Sequence, residues 1–344
     1  MQRKQKRIIP FTVKFRTELK PEPSPVSLDP RRPIALLGSC FAENIAARMR
    51  RALWDASNPL GTLFNPLSIE RSVRLLLFDH DRQDSFARSQ FRTGRTIHSW
   101  LFDTRTSSEF PGDTLLRLKA MSDALTAALT PGGVLFVTFG TAWCYFLASD
   151  PGYVVANCHK QPQSMFIRRR LTVDEIAGCW EQLATDLRDR FPGLRIVFTV
   201  SPVRHLKDGF IGNSVSKATL RLAIDELCSH LPFCHYFPAY EIVTDDLRDY
   251  RFYASDLVHP SEEAVDYIWE IFKATYLDSD GIKILDEGER LVKAWEHRPL
   301  LAQFSRISDI SRQEETARLT RIKADHASFI SRNPGMLDLP SRQA

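Results

Sequence analysis

Apolar positions along the chain follow two alternating rhythms. Short, nearly continuous runs at Ile34-Ala35-Leu36-Leu37, Val134–Thr138 and Arg195–Val200 read as strands buried on both faces. Phe233–Phe237 reads as a further strand. Between them, apolar residues recur three and four apart. Ile45, Met49, Ala52 and Leu53 share one helical face; so do Ile69, Val73 and Leu76, and later Leu115, Leu118, Leu125 and Leu129. The same spacing links Ile176, Trp180, Leu183, Leu187 and Phe191, then Leu220, Ile224, Leu227 and Leu231, then Val265, Ile268, Trp269 and Phe272. Asn65-Pro66 is a helix start, with Asn as cap and Pro in the first turn. Thr172 with Glu175 forms a capping box, and Ser214 opens another helix. This alternation from Ile34 to about Tyr276 predicts an α/β protein with a parallel sheet covered by helices on both faces.

The flanks differ. Residues 1–30 are basic and then Pro-rich, an N-terminal tail and arm. Residues 80–113 are polar and irregular, punctuated by Gly94 and Gly112, which predicts an insertion or lid. Residues 281–344 are charged with weak apolar stripes, a helical C-terminal extension. The predicted division is therefore 1–30, an α/β domain over 31–280, and 281–344.

Composition narrows the classes. With 43% hydrophobic and 26% charged residues, the 344-residue chain can bury a sizeable core. The net charge of +4 is small, and the basic cluster Arg3, Lys4, Lys6 and Arg7 reads as a solvated tail; nucleic acid is not an expected partner. No apolar stretch approaches the 18 or so residues of a membrane span. Pro10 and Lys14 interrupt the only weakly apolar N-terminal run, so no signal-peptide core is read. The six cysteines show no paired short spacing, which predicts reduced thiols in a cytoplasmic protein and no metal site.

Two motifs carry chemistry. Gly38-Ser39-Cys40-Phe41-Ala42 stands where the first apolar run gives way to a helical pattern. A serine there sits at the carboxyl end of a strand and beside the free N–H groups of a helix start, which can hold an oxyanion. Far downstream, Asp256-Leu257-Val258-His259-Pro260 supplies an acid three residues before a histidine. Taken singly, the first is also a capped turn and the second a helix start with Pro. Together they suffice for a nucleophile, a base and an orienting carboxylate.

These residues resemble the GSCFA family, a branch of the SGNH (GDSL-like) hydrolase superfamily. The likeness continues through Phe15-Arg16-Thr17-Glu18, Asn58-Pro59-Leu60-Gly61-Thr62 with Asn65-Pro66, and Gly140-Thr141-Ala142-Trp143. It extends to Asn157-Cys158-His159-Lys160, Ser201-Pro202-Val203-Arg204-His205, Asn213 with Ser216-Lys217, and Pro238-Ala239-Tyr240-Glu241. It spans about residues 15 to 275. The resemblance implies a flavodoxin-like three-layer α/β/α sandwich, with Ser39 as nucleophile, His259 as base and Asp256 as its partner.

The backbone N–H of Ser39 is an oxyanion donor by position, and Gly61 is a second one by resemblance. The third donor departs from the superfamily pattern, because no Asn follows the strand Val134–Thr138. Thr141 and Asn157 are the alternatives. His159, Lys160, Arg204 and His205 are candidate substrate-binding residues, and Arg204, His205 and Lys217 form a basic rim suited to an acidic or phosphorylated substrate. Trp100 and Trp143 are candidates for stacking, with packing as the plainer reading. Cys40 is a rival nucleophile, expected instead to pack under the turn. The expected activity is hydrolysis or transfer of an acyl group from a small or carbohydrate-like ester, with no cofactor. The alternative is a binding or scaffold module with a vestigial triad. The acyl group, the alcohol and the oligomeric state stay open.

Overall fold

In chain order the first elements are β1 (Ile34–Gly38), α1 (Cys40–Arg51), β2 (Ala56–Ser57), α2 (Pro66–Leu77), α3 (Arg82–Arg88), β3 (Gln90–Thr93), β4 (Thr96–Ser99) and α4 (Pro111–Ala128). There follow β5 (Val134–Phe139), β6 (Trp143–Leu147), β7 (Asp150–Val155), β8 (Phe166–Arg170), α5 (Val173–Arg190), β9 (Arg195–Val200) and α6 (Gly209–His230). The chain continues through β10 (Cys234–Tyr236), α7 (Ala239–Glu241), α8 (Glu262–Tyr276), α9 (Ser279–Glu296) and α10 (Asp309–Arg332). The structure, a computed structural model, describes residues 16–20, 24–297 and 309–341. The basic cluster Arg3, Lys4, Lys6 and Arg7, and Phe15, lie outside them.

Five strands form one parallel sheet in the order β10-β9-β5-β1-β2. Counted by their succession in the chain this is 2-1-3-4-5, the flavodoxin-like order. Side chains alternate across it. Ala35, Leu37, Leu135, Val137, Phe139, Ile196 and Phe198 enter the core shared with Ile69, Leu118, Trp180 and Leu220 of α2, α4, α5 and α6. Ile34, Leu36, Val134, Phe136 and Val197 face the opposite way, toward Ile45 and Met49 of α1 and Ile268 and Phe272 of α8. Both faces are thus covered, as the unbroken apolar runs predicted, and the fold is a three-layer α/β/α sandwich.

The helix starts follow their signals. Asn65 Oδ1 accepts from Ser68 N–H at 2.8 Å, with Pro66 at the first position. Thr172 and Glu175 form the reciprocal capping box. The C-terminal helices lie on the α1 side. Phe329 and Met336 join that core, and the Leu337 N–H donates to Leu53 O at 2.6 Å.

Three local differences have physical reasons. Helix α6 begins at Gly209, five residues before Ser214, because its first turn exposes Phe210 and Ile211 and so breaks the apolar stripe. Residues 80–113 hold α3 and the β3–β4 hairpin, elements too short to show a period, yet they bury Phe86, Ile97, Trp100 and Phe102. The antiparallel sheet β7-β6-β8 was not predicted. Its strand β8 reads Phe-Ile-Arg-Arg-Arg, and the charged face hides the alternation.

Candidate functional site

β1 and β5 are neighbours whose chains then leave in opposite directions, β1 to β2 and β5 to β9. Their carboxyl ends therefore form the switch point of the sheet, where open α/β sheets place their crevice. Gly38 makes this junction possible. Its φ is +124°, and a Cβ there would collide with the Thr138 carbonyl of β5.

Ser39 follows as the N-cap of α1, with extended backbone, and its Oγ accepts from the Phe41 N–H at 3.3 Å. The residue is fully buried. Beside it lies Gly140, the first residue after β5. A Cβ added at Gly140 would sit 3.3 Å from His205 Nε2, 3.4 Å from Ser39 Cβ and 3.0 Å from Phe64 O. The His205 ring, expected on the rim, and the Ser39 side chain thus both border Gly140.

Cys40 differs from expectation. It is partly exposed while Ser39 is not, rather than packed beneath the turn. Burial of the thiol nonetheless pushes its pKa up, against the opposing pull of nearby backbone N–H groups and of the Lys217 charge. The thiolate that would make it a nucleophile is disfavoured.

The loop after β9 brings Arg204 and His205. Arg204 lies over the rings of Tyr253 (4.4 Å) and Tyr250 (5.3 Å). The His205 N–H is fixed by Asn213 Oδ1 at 2.9 Å, and Phe64 meets its ring edge-on. Burial and the charges of Lys217, Arg168 and His259 push the His205 pKa down to about 4. Lys217 belongs to no rim. It is 2% exposed, and its Nζ donates to Gly140 O at 2.6 Å and Ser201 O at 2.7 Å. Burial lowers its pKa to about 7. The helical stripe could have revealed this, since Lys217, Leu220, Ile224 and Leu227 share one face.

Asp256 and His259 form a pair on a neighbouring loop. Asp256 Oδ1 accepts the N–H groups of Val258 (2.9 Å) and His259 (3.0 Å), and Leu257 takes a left-handed φ of 56° to allow it. Oδ2 meets His259 Nδ1 at 2.7 Å. Hydrogen bonds from His259 backbone and ring and from Val258 hold the Asp256 carboxyl down to about 2. The carboxylate is thus acceptor only, so Nδ1–H donates and Nε2 is left as the acceptor. The Arg204 N–H donates to Val258 O at 3.3 Å, tying this loop to the one that carries His205. No hydrogen bond joins Ser39 to His259.

The Ser39, Gly61 and Thr141 donors are engaged elsewhere. The Ser39 N–H points to Thr138 O (3.3 Å) and the Gly61 N–H to Asn58 O (3.2 Å). The Thr141 hydroxyl pairs with Ser216 Oγ at 3.1 Å and accepts from the Trp143 N–H. Asn157 Oδ1 accepts the His159 N–H at 2.8 Å, in a turn where His159 and Lys160 have φ of 45° and 59°. His159 Nε2 donates to Ser99 O (2.8 Å), and its ring packs on His98. Lys160 is exposed. Trp100 is buried, stacked on Phe91.

Sequence reasoning passed over a group beside His205. Arg168 lies over the Trp143 ring at 4.3 Å and pairs with buried Asp208 at 2.5 Å. It sits on the unpredicted strand β8, so nothing in the pattern linked it to the site.

The GSCFA family profile matches residues 33–272. The chain belongs to the GSCFA family. No curated protein matches it. The GSCFA segment opens just before β1 and closes inside α8, so it contains Ser39, Gly140, His205, Lys217, Asp256 and His259. Helices α9 and α10 lie beyond it. No helix among the described residues is long and apolar enough to cross a membrane.

Proposed function

We propose that this GSCFA protein is an SGNH-type serine hydrolase or acyltransferase acting on an ester of a small or carbohydrate-like molecule. One observation carries the reading. Ser39 caps a helix at the switch point of the sheet, beside a loop that is hydrogen-bonded to the loop holding the Asp256–His259 pair. Ser39 Oγ attacks the acyl carbon, and its proton passes to His259 Nε2. Asp256 keeps the ring in the Nδ1–H tautomer and favours the imidazolium that forms. His259 then protonates the leaving alkoxide. Water or a second hydroxyl releases the acyl group from Ser39.

Side-chain accessibility fits a division of roles. Asp256 and His259 are each about half exposed, with side-chain values of 48% and 47%, so the base stands open to a substrate. Ser39 is fully buried. The fully buried, helix-capping serine also favours the scaffold reading, in which Ser39 only holds the turn.

Turnover of short-chain p-nitrophenyl esters and acetylated sugars by the full chain separates the two. The hydrolase reading expects activity that is lost in both Ser39→Ala and His259→Ala. The scaffold reading expects none in the wild type.

A further inference from the structure

We infer that His205 is the oxyanion donor that this chain uses where the Asn after β5 is missing, its ring Nε2–H reaching the carbonyl oxygen of the acyl group attacked by Ser39. The inference rests on the serine-hydrolase reading and deepens it.

Position comes first. His205 Nε2 and Ser39 Cβ border the same small space above Gly140, at 3.3 and 3.4 Å from the point a Cβ would take there. With glycine at 140, no side chain stands between them. An oxyanion needs donors aimed at one point within hydrogen-bond reach of the nucleophile's target.

Availability comes second. The N–H groups of Gly140 and Thr141 both donate to Phe64 O, at 2.8 and 2.9 Å. The Ser39 and Gly61 N–H groups have the long partners described above, the Thr141 hydroxyl is taken up by Ser216 Oγ and the Trp143 N–H, and Asn157 is held in the His159 turn through its Oδ1. The His205 ring nitrogen beside Ser39 has no such engagement among the described contacts, while the His205 backbone is pinned by Asn213.

Charge comes third. A histidine whose imidazolium is disfavoured accepts a proton poorly while still offering one N–H, which suits a donor rather than a base. The charged or titratable groups bearing on His205 are Lys217 from α6, Arg168 from β8 and His259 from the facing loop, and all three disfavour its imidazolium. The two histidines thus divide the work. In the addition step the Ser39 Oγ–C bond forms and the Ser39 proton moves to His259. The carbonyl π pair becomes the oxyanion lone pair that His205 binds. In the collapse step that pair returns, the C–O bond to the alcohol breaks, and the alkoxide takes the proton from His259.

The test compares wild type, His205→Ala, His205→Gln and His259→Ala as full chains, with p-nitrophenyl acetate as probe. Ring 15N spectra of the wild type are recorded alongside. In the wild type, the His205 ring should be neutral at pH 6 with its proton on Nε2. His205→Ala should lower kcat about 10²–10³-fold with KM changed less than about 3-fold and the midpoint of the pH profile unmoved. His205→Gln, which restores an N–H donor, should recover about 10-fold or more. His259→Ala should instead remove the pH inflection.

A His205→Ala enzyme within about 3-fold of wild-type kcat overturns the inference and leaves the serine reading intact. So does a ring proton on Nδ1, which needs no variant to fold. Loss of the pH inflection in His205→Ala would make His205 the base and overturn it too. A wild type that turns over no ester fails at the serine reading itself, before any histidine variant is compared.

Discussion

Lys217 Nζ donates to the carbonyl oxygens of both Gly140 (2.6 Å) and Ser201 (2.7 Å), so one buried ammonium ties the loop after β5 to the loop after β9. In the unfolded chain a lysine holds its proton to about pH 10.4. In the fold, burial lowers that to about 7. Between these values the unfolded state binds more protons, so Lys217 makes stability rise with pH, by at most about 1.4 kcal/mol per unit. Urea unfolding at pH 7, 8 and 9 should show this rise in wild type relative to Lys217→Met. Parallel slopes in the two proteins would mean that Lys217 is not buried as described.

Gly38→Ala should destabilise the fold by about 2–4 kcal/mol, because alanine is strained at positive φ and its Cβ meets the Thr138 backbone. Thermal unfolding measures it. A shift within experimental error would place the β1–β5 junction wrongly.

Asp256→Asn should lower ester turnover about 10³–10⁴-fold, since an amide no longer holds His259 in the Nδ1–H tautomer. The hydrogen bonds from His259 and Val258 hold the native carboxyl near 2, below its unfolded value of about 3.9. Its contribution to stability is therefore present above about pH 4 and is lost as pH falls toward 2. A 13C titration of Asp256 should show no inflection between about pH 3.5 and 5. An inflection near 4 would dissolve the pair.

Much of this was legible in the sequence because strands and helices of ordinary length carry strong periods. The runs at Ile34, Val134 and Arg195 could only be strands buried on both faces, and the caps at Asn65 and Thr172 formed as their side chains dictate. Ser39 stood out because it sits where the period changes, and His259 because an acid stands three residues before it. Lys217 was misjudged on residue type, although its spacing from Leu220 and Ile224 put it on the inner face. His205 could not be set beside Ser39, because that meeting depends on how the loops after β5 and β9 converge. Arg168 stayed hidden in a short, charged strand.

Cys40→Ala should retain ester turnover within about 3-fold, since burial raises the thiol's pKa and disfavours the thiolate. Kinetics on p-nitrophenyl acetate check this. A dead Cys40→Ala enzyme that still folds would move the nucleophile one residue along.

The most direct test of the account is the intact mass of the full chain after treatment with a fluorophosphonate, followed by peptide mapping. The account predicts one adduct, on Ser39, absent from Ser39→Ala, a variant that loses only about 1 kcal/mol of stability with its helix cap. A chain that stays unmodified, or carries its adduct on another residue while Ser39→Ala labels as wild type does, would contradict it.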